Sequence, residues 1–337
     1  MPKIPVCVLT ADSKPLNEQI TLRILSVQVT DNRANEADQL DIVIDDSDGE
    51  LELPRRGVKI NCQLGFHNEV LHDKGDFIVD ETEWSGPPDI ITIKASSANF
   101  KSNIKEAKSK SYHRKKFGEI ASEIATSHKL TLVMTDDLKN IDLRHVDQTN
   151  ESDLNLLNRI SKQNGAEMAV KKDRLLIFKA GTAQTASGQK LPTIKMTREE
   201  GDQFKYSEQD RDSDYTGVSA SYHDQGKATR KHVTSGNPES RGAVNDPNTK
   251  TKVLKGTFAS KEEAQRAADA KMSEIKRQKA TFSITTALGI PAVSTETPLE
   301  LEGFKPQVDK LKWIVGKAVH TYSTGGLVTQ LDLEANI

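Results

Sequence analysis

Apolar and polar residues alternate along the first hundred residues of the chain, and turn signals separate the alternating runs. A period of two places successive side chains on opposite faces of a β-strand, so each run is predicted to be a strand with one buried face. The runs cover residues 6–8, 20–29, 40–44, 58–64, 77–79 and 90–93. No helical pattern interrupts them. Six or seven short strands of this kind are typical of a β-barrel or a β-sandwich.

Length and charge limit the class of protein further. A chain of 337 residues is too long for one ordinary core, so two or three domains are expected. The 47 basic residues nearly balance the 49 acidic ones, which disfavours a protein that binds nucleic acid by neutralising phosphates.

No apolar run is long enough for a signal peptide or a membrane span, so synthesis and retention in a cytosol are expected. Cys7 and Cys62 are accordingly predicted to be reduced.

After residue 101 the pattern becomes mixed α/β. Residues 101–116 carry seven Lys or Arg and one acid, which is typical of a solvated linker, although a strip that contacts RNA is an alternative. A helix is predicted over residues 117–129, with His128 at its C-terminal end, where a capping role is favoured over metal binding. A short strand over residues 130–134 follows.

The stretch over residues 145–178 carries the strongest local signals in the chain. Thr149 and Asn150 can cap a helix, and Asn164 with Gly165 supplies a left-handed stop. Between these signals the large apolar residues share one face at a period of 3.6: Leu154, Leu156, Leu157 and Ile160. A β-hairpin is predicted directly after the helix.

The last part of the chain returns to alternation. Residues 181–189 are small and polar and are predicted to be a linker, and residues 234–250 are predicted to be a long loop. Ser260 and Glu263 form a capping-box pattern that opens a helix over residues 261–279. The chain is predicted to end in a long hairpin over residues 313–333.

Sequence motifs for catalysis, metal binding and cofactor binding are missing. The chain has no nucleophile elbow, phosphate-binding loop or dinucleotide fingerprint, so no catalytic residue, metal ligand or cofactor is assigned. Residues 45–50 are acidic, but their spacing does not fit a calcium loop and predicts a hairpin turn. His67 and His72 lack the spacing of a zinc helix. The expectation is a protein that is not an enzyme.

The residues at the start of the helix predicted within 145–178 resemble the signature of a known family. The residues that carry this resemblance are Gln148, Glu151, Ser152, Asp153, Leu154, Leu157 and Arg159. They are similar to the signature of the late control D family, the baseplate hub proteins of contractile phage tails. The segments LPRRGVKINCQLG, near residue 60, and WIVGKAVHTYSTGGLVTQLDLE, near the C-terminus, resemble the two barrels of that family. The resemblance thus touches all three parts of the chain.

The resemblance implies a mainly β fold with two tube-forming barrels, over residues 1–100 and 190–337, that flank a small α/β domain over residues 101–189. It implies a structural hub of a phage tail or tailocin, similar to the hub part of type VI secretion spike proteins. Such a hub joins the sixfold tail tube to the threefold spike and helps to start tube assembly.

The implied partners are two further copies in a homotrimer, the spike and the tube protein, with the tape measure protein and baseplate wedge as further candidates. DNA is expected to pass only through the lumen of the ring. The implied location is the virion baseplate, after assembly in the bacterial cytoplasm. The residues of the subunit interface are unknown, although the hairpin over residues 313–333 is a candidate. Two alternatives stay open: a carbohydrate- or protein-binding tail module and a tail-associated peptidoglycan hydrolase.

Overall fold

The computed structural model describes residues 3–33, 36–97, 102–171, 173–208, 215–224, 226–236 and 250–336. The first part of the chain forms strands, as the alternation predicts. Its elements are β1 (Pro5–Ala11), β2 (Lys14–Pro15), α1 (Glu18–Leu22), β3 (Ile24–Asn32), β4 (Gln39–Asp45), β5 (Lys59–Phe66), β6 (His72–Ser85) and β7 (Ile90–Ser97). The strand predicted to begin at Ile20 was wrong. The side chain of Asn17 accepts a hydrogen bond from Gln19 N at 2.9 Å and starts the short helix α1 instead.

The middle part is mixed α/β. Its elements are β8 (Ala107–Lys116), α2 (Phe117–Ser127), β9 (Thr131–Met134), α3 (Asp136–Lys139), β10 (Asp142–Ser152), α4 (Asp153–Gln163), β11 (Ala166–Lys171) and β12 (Arg174–Lys179). Most of the segment predicted to be a basic linker is strand β8, which pairs antiparallel with β10. The prediction failed because carboxylates elsewhere in the chain balance these lysines: Lys115 binds Glu123 and Lys108 binds Asp153, both at 2.8 Å.

The last part contains β13 (Ile194–Thr197), β14 (Gly201–Glu208), β15 (Tyr215–Asp224), β16 (Thr229–Gly236), β17 (Lys250–Phe258), α5 (Lys261–Arg277), β18 (Ala280–Thr286), β19 (Pro298–Glu302), α6 (Pro306–Asp309), β20 (Trp313–Ser323) and β21 (Gly326–Ala335). Ser260 caps α5 as predicted, because its hydroxyl accepts a hydrogen bond from Glu263 N at 3.1 Å. Most of the predicted loop over residues 234–250 lies outside the described residues.

One large sheet unites the two ends of the chain. Its strand order is β14-β18-β21-β20-β3-β4-β7-β6-β5-β1-β2, with β13 and β19 attached beside β20. The connection is the antiparallel pair of β20 and β3, in which His320 lies opposite Val29. Among the described residues the path of strands is open, and it closes no barrel. Strands thus dominate the fold, as predicted, with β14 and the β1–β2 end as the outer edges of the sheet.

The hairpin of β20 and β21 cannot pair with another subunit in the way that the sequence suggested. Strand β20 pairs with β3, and β21 pairs with β18, so both outer sides of the hairpin already carry hydrogen bonds within the chain. The strand pattern revealed the hairpin but not its place in the middle of a sheet. A place for this hairpin in a subunit interface, through contacts other than strand pairing, stays a prediction.

Buried apolar residues form four separate clusters. One lies wholly within the middle part of the chain, from Ile104 to Ile177. A second occupies the N-terminal strands and includes Leu327 from the tip of the C-terminal hairpin. A third surrounds Trp313 in the last part, and a fourth lies between α5 and β15. No buried apolar cluster among the described residues spans both the middle part and the large sheet, so polar contacts must contribute much of the attachment between them.

The structure also bears on the two cysteines and on membrane-spanning helices. Cys7 and Cys62 are both free thiols, and Cys62 is buried between β1 and β6. None of the helices in the described part of the chain is long and apolar enough to cross a membrane.

Candidate functional site

The signature residues lie where β10 runs into α4. Ser152 is the N-cap of α4, and its hydroxyl accepts a hydrogen bond from Asn155 N at 3.2 Å. The predicted caps, Thr149 and Asn150, instead lie in an irregular stretch of β10, which continues to Ser152. The helix stop was predicted correctly: Asn164 is the C-cap, and Gly165 has a φ of +68°.

Asp153 is the centre of a buried hydrogen-bond network. Its side chain is only 5% exposed, and three donors from different elements converge on it. Lys108 Nζ donates to Asp153 Oδ2 at 2.8 Å, and Gln148 Nε2 donates to Oδ1 at 2.9 Å. The ring nitrogen Nε2 of His128 lies 2.7 Å from the same Oδ2 atom. The first residue of α4 is thereby tied to β8, to β10 and to the end of α2.

These donors keep the carboxyl of Asp153 ionised although it is buried. Burial alone would raise the pKa of a carboxyl, since it disfavours the charged form. The hydrogen bonds from Lys108, Gln148 and His128 outweigh burial and leave the pKa of Asp153 below its ordinary value of 3.8. Asp153 is therefore ionised at neutral pH, and its role is to hold three elements together. His128 is the C-cap of α2, as predicted, and its partner is a carboxylate.

The remaining polar signature residues support the same turn. Gln148 is buried, and its Nε2 also donates to the carbonyl oxygen of Glu151 at 2.9 Å. Arg159, in the second turn of α4, binds both carboxylate oxygens of Glu151, at 3.1 and 2.7 Å. The terminal nitrogen Nη2 that binds Glu151 also donates to the carbonyl oxygen of Asp147, at 2.8 Å. The irregular end of β10 is thus fixed to the helix that follows it.

Replacing Arg159 with lysine is expected to lower the free energy of unfolding by about 1 kcal/mol. A lysine keeps the charge but cannot form two parallel bonds to Glu151 and also reach the carbonyl of Asp147. The side chain of Arg159 is 39% exposed, which keeps the expected loss small. Urea unfolding of both proteins measures it, and the exposed Arg174→Lys is the matched control, which should leave stability unchanged. A loss equal to that of the control would contradict the role given to Arg159.

The two leucines of the signature belong to the apolar face of α4. Leu157 is fully buried in the middle cluster, together with Leu156 and Ile160, and Leu154 packs against that cluster while remaining partly exposed. The structure therefore brings all seven signature residues together around one strand-to-helix turn, and their expected role in stabilising the fold stays a prediction. The described residues contain no group of three or more His, Cys, Asp or Glu side chains placed to hold a metal ion.

A second, largely buried polar cluster lies where all three parts of the chain meet, and no sequence motif predicts it. We call it the junction cluster; it consists of Asp31, Arg33, Asp38, Glu167, Lys171, Glu296 and Glu334. Arg33 Nε donates to Glu296 Oε1 at 2.6 Å, and Arg33 also binds Glu334. Glu167 Oε2 lies 3.5 Å from Arg33 Nε. One arginine after β3 therefore faces carboxylates from the middle and last parts of the chain.

Lys171 forms the other half of the junction cluster. Its Nζ donates to Asp31 Oδ1 at 2.6 Å and lies 3.0 Å from Asp38 Oδ2. The second oxygen of Asp31 accepts a hydrogen bond from Thr295 N at 3.1 Å. A cleft of about 440 Å³ beside these residues is bordered by the loop over residues 291–296 and by Lys74.

Lys74 and His320 form a small buried group on the wall of this cleft. Lys74 Nζ lies 2.8 Å from His320 Nε2, and His320 Nδ1 lies 3.0 Å from Thr329 Oγ1. Burial and the neighbouring lysine lower the pKa of His320 to about 3, so its ring is neutral at ordinary pH. A neutral ring accepts a hydrogen bond from Lys74, so the group links β6 to β20.

Sequence patterns could not identify the junction cluster. Arg33 and Glu334 are 301 residues apart in the chain, and each stands in a segment with many other charges. The only local hint is that charged residues border apolar strands at Asp31 and Arg33. That pattern also fits an exposed turn.

Comparison with known proteins places these observations in a family. Residues 90–326 match the family model for the phage tail baseplate hub (GPD). The probable baseplate hub protein of Escherichia phage 186 is 38% identical over 99% of this chain and 93% of its own length. The corresponding protein of Escherichia phage P2 is 35% identical over 99% of this chain and 94% of its own.

Solved structures share the fold at low sequence identity. The 43 kDa tail protein of prophage MuSo2 from Shewanella oneidensis has a TM-score of 0.72 and 12% identity, with 98% of both chains covered. A tail protein from Neisseria meningitidis MC58 has a TM-score of 0.69 and 11% identity, with 98% of this chain and 96% of that one covered. The family match and the two phage relatives extend over most of the sequence, and this chain therefore belongs to the phage tail baseplate hub family.

Proposed function

We propose that this chain is a structural, non-enzymatic hub of a contractile tail baseplate, which joins the sixfold tail tube to the threefold spike and helps to start tube assembly. Family membership supports the baseplate location. The observation that carries the joining role is the pairing of β20 with β3, which places an N-terminal and a C-terminal set of strands side by side in one sheet. Three copies would present six such sets, so one ring could match a sixfold tube on one side and a threefold spike on the other.

The two open edges of the large sheet support assembly into a ring. Among the described residues, β14 pairs with β18 alone, and most of β1 has no strand beside it on the side away from β5. Unpaired strand edges are prone to add strands from other chains, and proteins usually cover them. We propose that neighbouring copies cover these edges in a homotrimer. Closed barrels would then arise from the assembly, since the strands of one copy leave the sheet open.

We also propose the division into residues 1–100, 101–189 and 190–337. The apolar cluster from Ile104 to Ile177 supports the middle unit, because it draws on no other part of the chain. The packing of Leu327 into the N-terminal cluster ties the two outer units to each other. In this arrangement the outer units form the ring, DNA passes through its lumen, and the middle unit stands beside it. Assembly in the bacterial cytoplasm would precede incorporation into the virion.

Light scattering on the purified chain tests this proposal, alone and after mixing with the spike protein of the same tail. We expect a mass near three times 37.2 kDa in at least one sample, with ring-shaped particles in negative stain. Pull-down with the tube protein, and separately with the tape measure and wedge proteins, tests the remaining partners. A monomer in both samples, with no spike bound, would overturn the adaptor role and favour a binding module. Clearing of peptidoglycan by the purified chain would favour a hydrolase.

A further inference from the structure

The middle unit meets the large sheet through strand β11. Met168 and Val170 of this strand point into the unit's own apolar cluster. The alternate residues Glu167, Ala169 and Lys171 face the other way, toward the junction cluster and the cleft beside it. Two of these three residues are charged, so β11 presents a largely ionic surface to the sheet. Such a contact responds to protonation in a way that an apolar contact does not.

We propose that the junction cluster is a proton-operated latch, which holds the α/β unit against the large sheet when its buried carboxyls are protonated and loosens as they ionise. This inference goes beyond the adaptor role, because it concerns the attachment of the α/β unit to the large sheet within one chain. It applies to a monomer as much as to a ring.

The balance of charge in the cluster favours bound protons. Five carboxyls meet there, whereas Arg33 and Lys171 are the cations that bind them directly. Arg277 also lowers the pKa of Glu167 and Glu296 by its charge, without a hydrogen bond from its buried Nε. Oxygen Oε2 of Glu167 is buried and lacks a hydrogen-bond partner among the described residues. An ionised carboxylate in that position would be poorly compensated.

Two carboxyls of the cluster change charge between mildly acidic and neutral pH. Burial, together with the charges of Glu296 and Glu334, raises the pKa of Glu167 to about 7 against the opposing effect of Arg33. Burial and the charge of Asp31 raise the pKa of Asp38 to about 6 in spite of Lys171. When the α/β unit separates from the sheet, water reaches the carboxyls of Glu167 and Asp38. Their pKa values should then return toward the ordinary 4.5 and 3.8.

Attachment of the α/β unit should be stronger at mildly acidic pH than at neutral pH, because the pKa values of Glu167 and Asp38 are raised in the attached state. The attached state holds protons that the detached state has released, so attachment weakens as pH rises from about 5 to above 7. Burial raises the pKa of Glu296 in the same direction. Asp31 acts oppositely: although burial alone would raise its pKa, Lys171 and Thr295 hold that pKa below 3.8, so Asp31 weakens attachment only in stronger acid.

Two groups beside the latch, Lys74 and His320, keep largely the same charge over this window. Burial lowers the pKa of Lys74 to about 8, so it remains largely protonated up to pH 7.5. His320 is neutral throughout. The cleft and the neighbouring pocket also contain His72, Asp73, Lys162 and Glu274. The variants below separate the contribution of Glu167 and Asp38 from any contribution of these neighbours.

A second contact of the same unit provides an internal reference. On its other side the unit touches α5, where Arg266 Nε donates to Asn164 Oδ1 at 2.9 Å and Arg144 N donates to Glu263 Oε1 at 3.0 Å. These bonds involve exposed or half-exposed groups and no buried acid. Their response to pH should be small.

Hydrogen exchange measured by mass spectrometry tests the latch at pH 5.5 and pH 7.5, after correction for the intrinsic dependence of exchange on pH. Protection of residues 166–171 and 290–297 is expected to fall about tenfold from pH 5.5 to pH 7.5. Residues 261–277 on the α5 side should show a much smaller change. Glu167→Gln mimics the protonated acid, so it should keep high protection at pH 7.5 and match the original chain at pH 5.5.

Two more variants keep the test decisive. Asp38→Asn should reduce the pH dependence on its own and replaces Glu167→Gln if that variant does not fold. Glu300→Gln, at an exposed carboxyl on β19, should retain the full pH dependence. Equal protection at the two pH values in the original chain would overturn the proposal. So would an unchanged pH dependence in both Glu167→Gln and Asp38→Asn.

Discussion

Replacing Asp153 with alanine is expected to lower the free energy of unfolding by about 3 kcal/mol. The change leaves His128 and Gln148 buried without their shared acceptor, and it separates α4 from β8. Lys108 is 44% exposed, so its charge can return to water, which keeps the loss below that of a fully buried ion pair. Urea unfolding at pH 7 measures the difference.

A small series at the same position separates charge from hydrogen bonding. Asp153→Asn keeps an oxygen that can accept a bond but loses the charge that attracts Lys108, so its loss should lie between those of alanine and the original chain. Asp136→Ala is the control, since that side chain is 88% exposed. A loss for Asp153→Ala no larger than for Asp136→Ala would show that the network does not stabilise the fold.

The effect of Asp153 should also depend on pH. Its pKa is held below 3.8, so its charge stabilises the folded state above that value, and this stabilisation is lost as pH falls through the lowered pKa. The difference in stability between the original chain and Asp153→Asn should therefore be constant from pH 5 to 7 and shrink below pH 4. Unfolding curves across this range give the comparison.

The network around Asp153 shows what sequence alone could predict. The apolar face of α4 and the stop at Gly165 followed from a period of 3.6 and from glycine's freedom to take a positive φ, both of which are local properties. The start of the helix was misplaced by about three residues, because Thr149 and Asn150 are also good capping residues. The pairing of β10 with β8 continues to Ser152, so the helix starts there and not at Thr149 or Asn150. A local sequence pattern does not show such pairing.

Contacts between distant segments account for the other errors. Strand β8 was interpreted as a solvated linker, since nothing near Lys108 in the sequence indicates that Asp153 is its partner. The C-terminal hairpin was predicted as a pair of strands, but its position between β18 and β3 depends on pairing with a strand almost 300 residues earlier. Family resemblance named the signature residues as structural, which stays a prediction, and it did not reveal the buried network around Asp153. For the junction cluster, the local pattern at Asp31 and Arg33 fits an exposed turn equally well, and the family resemblance does not include its residues.

Replacing Arg33 with methionine is expected to lower the free energy of unfolding at pH 7.5 by about 3 to 5 kcal/mol. Methionine fills most of the space but leaves Glu296, Glu334 and Glu167 close together without their shared cation. Glu296 cannot turn away easily, because its side chain is 4% exposed and its Oε2 accepts a hydrogen bond from Gly181 N at 3.1 Å. Arg55→Met, at an exposed arginine, should change stability by less than about 0.5 kcal/mol.

Acid should partly rescue the Arg33→Met variant. Loss of the guanidinium removes the group that lowers the pKa of Glu167 and Glu296, so both pKa values should rise further and protons should bind more readily in the folded state. Its loss of stability relative to the original chain should therefore be smaller at pH 5.5 than at pH 7.5. Urea unfolding at the two pH values measures this difference. A loss that is the same at both would mean that Arg33 acts through packing and not through the carboxylates, and it would remove the electrostatic basis of the latch.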